Sequence, residues 1–360
     1  MHLGRWTILA IMGIVAACAP TIGPVTPPVE VLVVLDSLDD SLRIIPVDSP
    51  GVVHTIELQP QSGTVVNALA LRGSMAAIGF SDQVEVLDLG NGHQPICGPS
   101  SLGEGLISAL AFGGGDSAYA ATAASNRVSF FATLQSASCS GQYQQYSGAP
   151  QGLSLARGSV FVVVGNGPGP GPCVPGPQVV CPSWVSSYGA PDSIPLAGPG
   201  NARAAIFASD GFLYVVSAGS DGTANGTLSQ IDPLQKSGVG GPTYPGFGHL
   251  PSYLATNDAD RIYVTSPVDS GLMVFNVRTH QIERGYTNAV ALGGHSRGVA
   301  TDDLGRLYVL LAGSCNASGS RGTVHVLGSD LVATHDIPVG RCPIAIGVTE
   351  IPSIAYKFSD

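Results

Sequence analysis

The side chains able to do chemistry in this 360-residue chain are few: 8 His, 7 Cys, 15 Lys plus Arg and 25 Asp plus Glu. His2, His54, His93, His249, His280, His295, His325 and His335 form no H-x-H, H-E-x-x-H or C-x-x-C-H arrangement, which speaks against a zincin or a c-type haem site. Lys236 and Lys357 are the only lysines, and neither closes a G-x4-G-K phosphate loop. Three acidic groups, Asp36 with Asp39 and Asp40, Asp258 with Asp260, and Asp302 with Asp303, resemble cation ligands. Each is expected in a strand turn, where Asp bonds local backbone. No catalytic residue, metal or cofactor is assigned.

Three arginines stand out from this background. Arg203 and Arg297 take equivalent places just ahead of an apolar stretch, and Arg341 precedes the last such stretch. A guanidinium fork suits carboxylate or phosphate. The expectation is an anion-binding mouth formed by Arg203, Arg297 and Arg341, with Gln151, Asn201, His249 and His295 as helpers. The competing expectation is that each arginine pairs with a turn Asp and ties the fold together. A second candidate surface is the Pro-Gly-rich loop at 165–184, which ends at Trp184, either a recognition arm or an insertion whose Trp184 packs in the core.

What could position these groups is a repeat. Apolar stretches beginning at Ala68, Ala109, Gly152, Ala204, Tyr253 and Gly298 recur at intervals of 41, 43, 52, 49 and 45 residues, and Ala345 follows 47 later. Each leads through a turn to a second apolar stretch, as in SDGFLYV (209–215) and DLGRLYV (303–309), and then to an alternating strand such as QVEVL (83–87). With 48 Gly, 27 Pro, 44% hydrophobic and 11% charged residues, the composition is that of a turn-rich all-β chain. Periods near 45 with four strands are those of propeller blades. Residues 30–58 lack a first strand, and the segment around 344–348 supplies it. The fold expected is therefore all-β, a seven-bladed β-propeller closed by a C-terminal strand that completes the N-terminal blade, with no exposed sheet edges at the seam.

The segment IPVGRCPIAIGV (337–348), with RIYV (261–264) and GRLYV (305–309), resembles the YVTN family of bacterial β-propellers, relatives of the NHL and lactonase-type propellers. Ala345 stands where that family usually has Gly. The resemblance implies architecture and carries no single activity.

Residues 6–17 are apolar except Thr7 and end at VAAC (15–18), which resembles the lipobox of bacterial lipoproteins. Twelve residues are too short to span a bilayer and fit a signal-peptide core. The expected organisation is a signal peptide at 1–17, lipidated Cys18 with a Pro-rich tether to 29, the propeller at 30–349 and a tail at 350–360. Cys97, Cys139, Cys173, Cys181, Cys315 and Cys342 remain, an even number that favours disulfides in an exported protein. Blade topology places Cys173 with Cys181 in one loop and Cys315 near Cys342 at the closing joint, which leaves Cys97 for Cys139.

A net charge of −10 excludes nucleic acid as a natural partner. The function expected is a lipid-anchored, extracytoplasmic, non-catalytic binding or scaffold module, outer-membrane-bound where the host has one, for a protein, glycan or small anionic ligand. Its runner-up is a metal-dependent lactonase-like enzyme, which needs acidic ligands converging on the channel.

Overall fold

The computed structural model describes residues 27–353, apart from 61–63, 92–93, 103–104, 134–138, 140, 166–181, 191–192, 221, 236–239 and 317–318. The signal segment, Cys18, Cys173, Cys181 and the tail beyond 353 lie outside the described residues.

Seven antiparallel sheets follow one another along the chain. Blades 1 to 6 span residues 66–101, 107–145, 149–195, 202–245, 253–291 and 296–341. Blade 7 joins Pro343–Ile351 to the N-terminal strands Val29–Asp36, Ser41–Pro46 and His54–Glu57. Six sheets have four strands, and blade 5 gains a fifth where Val290–Ala291 pairs with Gly271–Asn276. The innermost strand of each blade packs against that of the next, right round the ring. The seam closes as the sequence predicts, with Leu32 opposite Val348 and Val34 opposite Ile346.

The strand patterns follow from this stacking. Second strands, such as Leu213–Ser217 and Val160 to Val164 within Ser159–Gly165, are buried throughout because neighbouring blades cover both faces of the sheet. Third strands vary: Arg321–Leu327 alternates, whereas Thr227–Ile231 is buried throughout. The core is accordingly divided into clusters between blades, one of which joins Leu32, Val34 and Ile45 of blade 7 to Tyr308, Leu310 and Val324 of blade 6.

Turn chemistry accounts for most of the acidic groups. The Asp302 carboxylate accepts the N–H groups of Leu304 and Arg306 at 3.1 and 2.7 Å and the Tyr308 hydroxyl at 2.9 Å. Asp210 accepts Phe212 N–H at 3.2 Å and the Tyr214 hydroxyl at 2.7 Å in the same way. Asp36 departs from the turn expectation. It ends the strand Val29–Asp36, is wholly buried, and meets Arg43 Nε at 2.5 Å and Gly340 N–H at 3.1 Å. Burial outweighs the Arg43 guanidinium and pushes the Asp36 carboxyl up to about 6.

Two disulfides lie among the described residues. Cys315–Cys342 (Cα–Cα 4.7 Å) bridges blade 6 to the residue before the closing strand, and Cys97–Cys139 (5.3 Å) links blades 1 and 2. Both are compatible with an oxidising, extracytoplasmic setting.

Candidate functional site

The inner strands converge on a central cavity of about 310 Å³ to which every blade contributes. Six of the seven carry a β-bulge at the same place near the strand start. Asn67, Ser108, Gln151, Arg203, Arg297 and Ile344 are the extra residues, each without a partner on the second strand. A bulge disrupts the ladder and re-aims the local side chain. Repeated round the ring, it brings those six side chains to the lining of one cavity, with Ser252 at the equivalent place in blade 5.

Small residues make the bulges possible. The residue after each is Ala68, Ala109, Gly152, Ala204, Gly298 or Ala345. A Cβ on Gly152 would lie 2.6 Å from the Arg203 carbonyl oxygen, and one on Gly298 would lie 2.8 Å from Ile346 Cγ2. Neighbouring inner strands therefore approach too closely for a larger side chain at those two points. Blade 5 has Tyr253 there and shows no bulge.

The polar groups of the ring divide into two arcs. Asn67 Nδ2 donates to Ile107 O at 2.8 Å, and Ser108 Oγ donates to Pro150 O at 2.7 Å, so each clips its blade to the next. Ser252 Oγ donates locally to Leu250 O at 2.8 Å. Gln151, Arg203 and Arg297 have no hydrogen-bond or ion-pair partner among the described residues. Arg203 is half-buried and Arg297 exposed, and the lining contains no Asp, Glu, His or Cys. Two uncompensated guanidiniums in one concave site make a positive mouth on a protein of net charge −10.

The remaining predicted residues are placed elsewhere. Arg203 and Arg297 lie inside their strands, not ahead of them, and the blade 7 residue equivalent to both is Ile344, three positions beyond Arg341. Arg341 ends the outer strand of blade 6, and its Nε meets Asp39 at 2.6 Å, so this arginine follows the competing, structural expectation. Asn201 is buried in a left-handed conformation (φ 69°) and donates to Gly219 O at 3.1 Å. His249 is clamped by Asp269, whose carboxylate accepts its backbone N–H at 2.6 Å and meets its Nδ1 at 3.1 Å. Exposed His295 sits in the loop before Ser296. Trp184 starts the third strand of blade 3, half-buried against Val162, Val164 and Tyr146, which is the core-packing alternative.

Asn67, Ser108 and Ser252 are ring members that the sequence reading does not select as ligands. Their signal was present: a polar residue stands before the first residue of every repeat but the last, where Ile344 precedes Ala345. One motif is also passed over. Gly294-His295-Ser296-Arg297-Gly298 matches G-x-S-x-G. Ser296 is fully buried on an inner strand, however, with its hydroxyl tied to Thr265 Oγ1 at 2.9 Å and to Gly298 O at 3.0 Å. A nucleophile elbow needs an exposed serine on a strand-to-helix turn, and this serine is neither. Nor does the cavity offer the acidic ligands a lactonase-like metal centre needs, and no group of three or more potential ligands exists among the described residues.

No protein-family model and no curated protein sequence matches the chain. Among solved structures it is similar to hydrazine synthase from Kuenenia stuttgartiensis, with 16% identity over 81% of this chain and 96% of that chain and a TM-score of 0.57. At that identity the likeness extends to the propeller fold alone.

Proposed function

We propose that this propeller is a non-catalytic binding module that takes a small anion in its central cavity. The observation that carries the reading is the ring of bulges, which places Arg203 and Arg297 in one concavity with no carboxylate to neutralise them. Two guanidinium forks in one concavity, neither engaged by a carboxylate, are suited to an incoming carboxylate or phosphate. Gln151, on the blade beside Arg203, adds a donor and an acceptor with no other task.

The YVTN-like joint and the lipobox-like VAAC extend the proposal to address. Cys18 is the lipidated N-terminus of the mature chain, and the tether that leads from it to the first strand holds the ring off the lipid on the extracytoplasmic side. The two disulfides support that compartment.

The test of the binding reading is calorimetric titration of the mature protein with inorganic phosphate and acetate at low salt. Saturable binding of either is expected, with at least a tenfold loss in the Arg203→Ala/Arg297→Ala double variant. Absence of binding by both anions, or undiminished affinity in the double variant, overturns it. Intact-mass analysis of protein from native membranes tests the address separately: a first residue other than acylated Cys18 would refute the anchor.

A further inference from the structure

We infer that the anion is an amphipathic carboxylate, with its acidic head between Arg203 and Arg297 and an aliphatic body lying along the aliphatic residues that follow the ring positions on the inner strands. This deepens the anion reading and rests on it. The cavity is not uniformly polar. Two residues along the inner strand from the ring position, six of the seven blades add an aliphatic residue to the lining, Leu69, Leu110, Leu153, Leu254, Val299 and Ile346, while the blade 4 counterpart is Ala205, outside the lining. Both cations lie within the three consecutive blades 4 to 6, on either side of Ser252. The facing arc holds Ile344, which presents no polar side-chain atom, and Asn67 and Ser108, which spend donor groups on clips to adjacent strands. A symmetrical inorganic oxyanion would use the arginine arc and leave those aliphatic residues in water. A chain bearing one carboxylate satisfies both halves, because a guanidinium fork matches the two carboxylate oxygens while each methylene removed from water strengthens binding. Ligand sites generally combine such apolar walls with a few placed polar groups in volumes from about 300 Å³ upward.

The experiment is a homologous series of acetate, butyrate, hexanoate and octanoate, with inorganic phosphate and octan-1-ol as controls, titrated into the mature protein. Affinity is expected to rise about fourfold for each methylene buried, levelling once the body outgrows the cavity. Octan-1-ol is expected to bind at least tenfold more weakly than octanoate. In Ile344→Asn, octanoate affinity should fall severalfold while acetate affinity is kept, and an unchanged thermal unfolding midpoint shows that the variant is folded. If that variant does not fold, the wild-type series and its alcohol control still decide. Equal affinity along the series, with acetate and phosphate both binding, overturns the amphipathic assignment and leaves the anion site standing. No binding by any anion removes both. A chain-length slope that survives in Arg203→Ala/Arg297→Ala, or octan-1-ol binding as tightly as octanoate, refutes the assigned head group.

Discussion

The seam where the ring closes and the mouth at its centre use the same residue types to opposite ends. At the seam both arginines have carboxylate partners. Asp36 holds Arg43, Asp39 receives both Arg341 at 2.6 Å and Arg43 at 3.6 Å, and Cys342 is bound to Cys315. At the mouth, Arg203 and Arg297 lie on the blades either side of blade 5, with no carboxylate in the lining. Arginine at the seam is structural because burial of its acidic partner demands a counter-charge. Arginine at the mouth has no such obligation, which is what leaves it open to a ligand. The contrast separates stability from binding and can be attacked residue by residue.

The largest effect is expected from the seam. Arg43→Met leaves wholly buried Asp36 without its guanidinium, and breaking such a pair from one side costs about 3–5 kcal/mol. Denaturant unfolding at pH 8 should show that loss. At pH 5, where Asp36 is protonated, much of it should vanish. A variant equally destabilised at both pH values would show that packing of the Arg43 stem, and not charge, is what the seam needs.

Removing the cross-link comes next. Cysteines 315 and 342 are 27 residues apart, and the chain-entropy model gives about 3–4 kcal/mol for a loop of that size. Cys315→Ala/Cys342→Ala should lower unfolding free energy by that amount and leave anion binding within twofold. Loss of binding in a folded double variant would mean that the seam shapes the mouth, and the two regions would no longer be separable.

The pH response of the seam has a definite sign. The Asp36 carboxyl is raised from 3.8 to about 6 by burial, against the pull of Arg43, so the folded protein holds this proton more tightly than the unfolded chain. Its contribution is fully present below about pH 4 and is lost as pH rises through about 6. At roughly 1.4 kcal/mol per pKa unit it amounts to roughly 3 kcal/mol. Asp39 acts in the opposite sense: burial pushes its carboxyl up, but the backbone N–H and guanidinium of Arg341 outweigh it and hold the group low. Asp36→Asn should therefore flatten the decline in stability between about pH 4 and 6.5. A profile unchanged by that substitution would assign the decline to other raised carboxyls such as Glu85.

How far these regions could be read from sequence differs for physical reasons. Blade number, the closing strand and the Cys315–Cys342 bridge follow from blade spacing, because each blade must bury a similar quantity of apolar surface before the next begins, whereas Cys97–Cys139 follows by elimination. Arg203 and Arg297 were identifiable as mouth residues because their repeats are among the clearest in the chain, and Gln151 because it immediately precedes the start of a fainter one. Arg341 was misplaced because the closing joint carries Cys342 and Pro343 ahead of the bulge, which moves the ring position to Ile344. Asn201 and His249 stand near joints in sequence, yet local backbone and a carboxylate claim them. Ser108 went unread, and Asn67 is legible only as a residue near a channel-facing joint, because the bulge that re-aims them is a matter of strand register and no single residue type announces it.

The smallest effects should come from comparing arginines directly. Arg341 is about two-fifths exposed in its pair with Asp39, so Arg341→Ala should cost no more than about 1 kcal/mol and leave anion affinity unchanged. Arg203→Ala/Arg297→Ala breaks no ion pair among the described residues and should shift stability by less than about 0.5 kcal/mol while binding falls at least tenfold. Thermal unfolding and titration on the same preparations supply both readouts. If the mouth double variant proves the more destabilised, its guanidiniums hold the inner strands together; the distinction between a satisfied seam and an open mouth then fails, and with it the case for a ligand.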